Sequence, residues 1–431
     1  MLAQASQPIL NICETAMIGR LGAEALAARA IGAAIVSSVY WVFAFLTFGT
    51  TTLIGHHYGG KDFTACGETY RHALFLALIG GLAVALAGVS LADSLYRVLG
   101  AEPAVVARGA NYFRIYIASA PLTLIVYSSV GFFRGIQNTR VPMLLAFSIT
   151  AVQLTLDYSL IYGNFGMPAL GLIGAAIAAG CAQLVGALVY LMLFTMARHT
   201  APYRAGSWRI SFAALRPIFR IGQDLAIRTG ALRLSLVVAT SSAARMGAVT
   251  LSAYEIVFQL FMLCSDVIDG LAIAGQALVA KHLGSRDKQR AYRMGVTLTI
   301  SGLLAGLLFA LSFAIGWNYI VHFFTSSPQV IALLSSRVML LVCVLQPLNG
   351  VVFVLDGLLI GAHSTRYLMW AMLAGGLLLC MPISWLSLQR GWGLDGILIG
   401  IGALMAWRGA TNLLRFLNRR WADERPSRGA V

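Results

Sequence analysis

The sequence predicts an all-α polytopic membrane protein of twelve transmembrane helices, built as two six-helix lobes related by a pseudo-twofold axis along the membrane normal. Three observations carry that prediction. First, 59% of residues are hydrophobic and only 11% are charged, and nearly every charge falls between apolar runs about 20 residues or longer, enough to span about 30 Å of hydrocarbon. Second, residues 22–62 lie over residues 247–287 without a gap: Gly22, Ala23, Leu26, Ala28 and Ile31 meet Gly247, Ala248, Leu251, Ala253 and Ile256, and His57, Gly59 and Asp62 meet His282, Gly284 and Asp287. Self-similarity at half the chain length marks duplication of a whole lobe. Third, the basic residues collect in alternate connections, as the positive-inside rule requires of a polytopic chain.

Each element follows from those observations. The runs are too long and unbroken for the roughly ten-residue alternating strands of an outer-membrane barrel, and in lipid a helix satisfies its own backbone hydrogen bonds. Helices are predicted at 1–20, 29–55, 69–93, 109–133, 142–162 and 168–196, then at 223–246, 250–280, 294–323, 337–361, 367–386 and 393–413. The domain reading is an N-terminal six-helix lobe (1–197), a cytoplasmic linker (198–222), a C-terminal six-helix lobe (223–413) and a basic cytoplasmic tail (414–431). Because six is even, the second lobe enters from the same side as the first, giving parallel repeats with a central cavity expected between them. The first helix carries Gln7, Asn11 and Glu14 and lacks the basic lead-in of the other entering helices, so the expectation is a start upstream of Met1. It is not a signal peptide, having no charged n-region and no clean apolar core.

The formal net charge of +15 would suggest nucleic acid in a soluble protein, but its distribution points elsewhere. With the N-terminus cytoplasmic, the inside connections hold Lys61, Arg134, Arg140, Arg198, Arg204, Arg216, Arg220, Lys281, Arg286 and Arg366 among others, and the tail adds Arg415, Arg419, Arg420, Arg425 and Arg428. The outside connections hold Arg20, Arg29, Arg97, Arg108, Arg245, Arg337 and Arg390. The bias is about threefold, with attraction to anionic lipid as its by-product. No basic domain stands outside the bilayer, so nucleic acid is not an expected partner. Cys13, Cys66, Cys181, Cys264, Cys343 and Cys380 lack CxxC spacing and read as small apolar residues, neither disulfides nor metal ligands. No zinc, Walker or dinucleotide motif appears, and no cofactor is expected.

Intramembrane carboxylates carry the chemistry, since each must be paired, protonated or open to water. At about 1.5 Å per helical residue, Glu14 and Asp157 fall at similar depth near the outer ends of the first and fifth helices. Arg114 is the base assigned to that level, so two acids face one positive charge, and one carboxyl is expected to exchange a proton in the working range. Gln153, one turn before Asp157, is placed to hydrogen-bond it. In the second half, depth pairs Asp269 with Arg233 and Asp356 with Arg228, whereas Asp266 has no base at its level and is a candidate cavity residue that attracts cations. Tyr40 and Trp41 are candidate aromatic linings of that cavity, or core or lipid-facing residues. None of these acids recurs in the related half, although Gly131, Gly135, Pro121 and Arg140 do, as Gly357, Gly361, Pro347 and Arg366.

The run PILNICETAMIGRLG (8–22), Gly49 with Thr50, Thr51 and Thr52, the GxxxGIQNTRVP-like hinge at 131–142, DGLAIAGQALVAKHLGSRD (269–287) and DGLLIGAHSTRYL (356–368) together resemble the multidrug and toxic compound extrusion (MATE) transporters, in the DinF-like branch, over essentially the whole chain. The resemblance implies twelve helices in two lobes that open alternately to either side. It also implies export of organic cations or other amphipathic drugs in exchange for protons or sodium. Asp157 matches the family's fifth-helix aspartate, Gln153 stands where asparagine is common, and Glu14 replaces an aspartate with a longer carboxylate. The sixth helix has no Ser or Thr between Gly174 and Gly186, where the family often places a hydroxyl. The expectation is a monomeric, proton-coupled antiporter of the bacterial inner membrane, both termini cytoplasmic. A lipid-linked precursor flippase of the same superfamily would need a strongly cationic cavity, and a membrane-bound enzyme would need a catalytic constellation.

Overall fold

A computed structural model describes residues 2–206, 211–334 and 336–423. Linker residues 207–210 and tail residues 424–431 lie outside that range. The described residues are helical, with no strand among them. The chain falls into two compact units, one of Leu2–Gly222 and one beginning at Gln223.

The first unit opens with α1 (Leu2–Gly19), then α2 (Ala23–Phe43) and α3 (Phe45–Gly59), which together make one apolar span, and α4 (Phe63–Val98). Next come α5 (Pro103–Ala118) and α6 (Ala120–Gly135), bent by 43° at their junction. Pro121 sits in the first turn of α6, where its missing N–H and fixed φ interrupt the helical ladder. The unit continues with α7 (Arg140–Tyr162), α8 (Leu172–Met196) and a 3-10 turn over Arg198–Tyr203 that lies on α4. Gly67 permits that approach: a Cβ there would stand 1.7 Å from the Tyr203 carbonyl oxygen.

The second unit contains most of α9 (Phe212–Arg245), then α10 (Ala248–Gly284), α11 (Lys288–Phe324) and the short α12 (Pro328–Leu333). It is completed by α13 (Ser336–Gly361), α14 (Thr365–Gly375), α15 (Met381–Arg390) and α16 (Gly393–Leu417). α14 and α15 form one span through a π-turn at Gly376–Cys380, just before Pro382, whose ring nitrogen cannot close the normal ladder.

Among the described residues, nine helices or continuous helical runs are long and apolar enough to cross a membrane, or ten if α5 and α6 count as one bent span. This falls short of the twelve expected. The shortfall is α1 and α9, and α9 carries Arg216, Arg220, Asp224, Arg228 and Arg233 along its length.

The duplication is visible in the backbone. Gly22 and Gly247 share φ values of 113° and 112°, Lys61 and Arg286 are left-handed at 60° and 61°, and Gln137 and His363 at 65° and 61°. Asp62 accepts from Ala65 N at 2.9 Å and Asp287 from Arg290 N at 2.9 Å, so each caps the helix that follows it. The paired glycines also act alike: Gly131 and Gly135 bring α6 against α3, and Gly357 and Gly361 bring α13 against α10, close approaches that a side chain would block.

Candidate functional site

In the first unit, α7 presents Gln153 and Asp157 one turn apart on one face, and both are buried. Tyr162 holds α7 to α1 by donating to the Met17 carbonyl at 2.8 Å. Ile18, Ala25, Tyr112, Ile161, Ala175 and Ala176 seal the same region with apolar contacts. Glu14 on α1 is buried and accepts from Arg29 at 3.0 Å. Arg29 also donates to Thr15 Oγ1 at 2.9 Å, and that hydroxyl in turn donates to the Asn11 carbonyl at 2.6 Å. Asp157 is fully buried, and neither of its carboxylate oxygens has a hydrogen-bond partner in the protein. The charges of Glu14 and Arg29 both act on it.

Two expectations are corrected here. Arg114 is not the base beside the pair: it points away to Asp93 on α4 and also donates to Asn111 Oδ1 at 3.0 Å. The base is Arg29. Its helix starts at Ala23, six residues earlier than expected, which moves Arg29 from a connection onto the buried face of α2 with Ala25, Ala28 and Gly32. Gln153, although buried one turn away, does not hydrogen-bond Asp157. Tyr40 packs in the interior of its unit with Val36, Ala92 and Phe113, its ring 6.3 Å from that of Tyr127, whereas Trp41 is exposed.

In the second unit, Asp356 on α13 is buried and held from three directions. Arg228 from α9 and Arg408 from α16 both donate to Oδ2, and Asn412 Nδ2 donates to Oδ1 at 2.8 Å. Arg408 also lies 5.6 Å over the Phe353 ring. Asp269 is half-buried and Asp266 exposed on α10. The charges acting on Asp269 are those of Asp266, Asp356, Arg228 and Arg408. Arg228 and Arg408 tie Asp269 to the cluster centred on Asp356. Sequence reasoning missed Arg408 and Asn412, although Arg408 is the one charge within residues 397–413 and Asn412 follows it by one turn. It also missed Asp224, which accepts from Thr365 Oγ1 at 2.8 Å. Among the described residues no group of three or more His, Cys, Asp or Glu side chains is placed to hold a metal ion.

Fold and buried acids in place, comparison with known proteins decides the family. The MatE family model matches residues 1–159 and 231–386. The chain belongs to the MATE family. It is 26% identical over 424 residues to DNA damage-inducible protein F of Escherichia coli, covering 96% of this chain and 89% of that protein. It is 23% identical to the probable multidrug resistance protein NorM of Photorhabdus laumondii, covering 91% and 86%. Among solved structures, an outward-facing multidrug resistance MATE transporter superposes with a TM-score of 0.86 at 21% identity, over 97% of this chain and 92% of that one. A MOP superfamily transporter from Pyrococcus furiosus, described as having a binding pocket of reverse polarity, gives 0.85 at 20% identity, with 97% and 92% covered. Membership makes this chain a multi-pass membrane protein of a multidrug efflux transporter family.

Proposed function

We propose that this MATE protein is a secondary active antiporter that exports organic cations or other amphipathic drugs by alternating access, with Asp157 as the group that binds the coupling ion. The observation that carries this reading is the Asp157 carboxyl, fully buried with no protein hydrogen bond to either oxygen. An ionised carboxylate so placed is costly unless a proton or a small cation joins it. Beside it, Arg29 is committed to Glu14 at 3.0 Å. When Asp157 is charged it competes with Glu14 for that guanidinium, and when it is neutral Arg29 belongs to Glu14 alone. Ion binding at Asp157 therefore changes the force between α7 and the α1–α2 pair, and a rearrangement of α1 would carry that change to the cargo.

On this reading α1 and α9 also cross the bilayer. That gives twelve spans in two six-helix lobes related along the membrane normal, with the linker, the basic tail and both termini cytoplasmic, in a monomer of the bacterial inner membrane. Protons are the proposed coupling ion. Fluorescent-drug efflux from proteoliposomes under an imposed proton or sodium gradient tests it. Efflux driven by the proton gradient, lost in Asp157→Asn, is the expected result; efflux that ignores both gradients would overturn the antiport reading.

A further inference from the structure

The interior of the second unit holds a line of polar atoms that the Asp356 network leaves over. Gln346, Asn349, Phe353 and Asp356 fall at spacings of three, four and three on α13, so they share one face of that helix. Gln346 and Asn349 are 2% and 0% exposed. Gln346 Nε2 donates to the Val342 carbonyl at 3.1 Å, which leaves Oε1 without a partner. Neither Nδ2 nor Oδ1 of Asn349 is paired, nor is Asn412 Oδ1 or Arg408 Nε at the Asp356 end. Gln346 also lines a small cavity whose other walls include Tyr254, Phe258, Phe261 and Leu398.

The chemistry of these five atoms selects what occupies the space. Three are acceptors and two are donors, so no ion serves them all: a cation would leave Asn349 Nδ2 and Arg408 Nε unmet and would face two guanidinium groups, while an anion would leave the three amide oxygens unmet. Buried polar groups left unpaired are expensive. A molecule that both donates and accepts, and is small enough to fit between close-packed helices, satisfies every one. We infer that the second lobe holds a file of ordered water along α13, running from the cavity at Gln346 through Asn349 to the Asp356, Arg408 and Asn412 cluster. It hydrates that cluster from within the lobe and is a water site, distinct from the ion site proposed at Asp157.

X-ray hydroxyl-radical labelling of the full chain, read by mass spectrometry, tests the inference because buried side chains beside bound water become oxidised although bulk solvent does not reach them. Phe353, Phe261 and Tyr254 should be labelled in the parent, and their labelling should fall severalfold in Asn349→Leu and in the milder Gln346→Met. If Asn349→Leu does not fold, Gln346→Met and the parent alone still decide. Absent labelling of all three rings in the parent, or equal rates in parent and a folded variant, would overturn the file. Labelling that sodium suppresses and choline does not would assign the space to a cation and overturn it as well.

Discussion

Asp157 in the first half and Asp356 in the second are both buried, and the two are treated in opposite ways. Asp356 is gripped by two arginines and an asparagine, whereas Asp157 has no hydrogen bond to either oxygen and only shares the field of an existing Glu14–Arg29 pair. A carboxylate held by two guanidiniums has no reason to change state, since a proton would have to displace charge-assisted bonds. One with no donors has every reason to. Duplication supplied two similar scaffolds, and divergence built a gripped carboxylate into one and left the carboxylate of the other without a protein donor, as the proposed ion site requires.

The largest expected effect is a complete loss of function without a loss of fold. Asp157→Asn removes the group proposed to bind the coupling ion but keeps its shape, and because neither carboxylate oxygen has a protein hydrogen bond, folding should not be harmed. Gradient-driven efflux should disappear while yield in the membrane and thermal stability stay at the parent level. Glu14→Gln should also abolish coupling, whereas Glu14→Asp should retain it. Normal, gradient-responsive efflux by Asp157→Asn at parental abundance would erase the contrast between the halves and move coupling to Asp266, Asp269 or Asp356.

Next in size is the opposite behaviour in the second half. Asp356→Asn leaves Arg228 and Arg408 buried without their carboxylate, and breaking such a buried pair costs about 3–5 kcal/mol. Melting in detergent should show a large drop, and Arg408→Gln should be milder because Arg228 still reaches Asp356. A variant at Asp356 that melts like the parent would mean that the cluster is not the lock described.

The two halves were not equally legible in the sequence. Apolar length and the repeat are one-dimensional properties, so the spans other than α1 and α9, the glycine pairs and the acids Glu14, Asp157 and Asp356 could be read directly. Partners are harder, because depth along a helix is only one coordinate and pairing also depends on the direction a residue faces around the bundle. Arg114 has the expected depth but faces Asp93. Arg29 faces Glu14 but was placed at the outer edge of its helix with the connection charges, because the start of α2 at Ala23 was not recognised. Arg408 and Asn412 were legible in principle, as a charged and an amide residue one turn apart in an apolar run, a spacing that puts both on one face.

A smaller effect separates the two scaffold glycine pairs. A Cβ at Gly361 would lie 2.4 Å from the Gln276 backbone oxygen, whereas one at Gly135 would first meet the Ile54 side chain at 2.7 Å. Backbone cannot step aside without moving a helix, so Gly361→Ala should cost about 1–3 kcal/mol. Gly135→Ala should cost somewhat less, since its nearest backbone atom, the Thr51 oxygen, lies at 3.2 Å, although Ile54 Cβ at 2.8 Å cannot rotate away. Thermal stability in detergent measures both, and equal losses would show that the second half is packed no more tightly at this contact than the first.

The smallest expected effect is one in which the halves should not differ at all. Asp62 and Asp287 each accept from a backbone N–H three residues on, both at 2.9 Å, and each follows a left-handed residue, Lys61 or Arg286. Losing such a cap costs about 1 kcal/mol. The geometry is the same at the start of α4 and of α11, so Asp62→Ala and Asp287→Ala should lower thermal stability by equal small amounts, and the double variant should lose about twice as much because the sites share no partner. Efflux should be unchanged in all three. If one cap proves far costlier than the other, divergence has reached the turns as well as the buried charges, and the two scaffolds are not the equivalent frames on which the contrast between Asp157 and Asp356 rests.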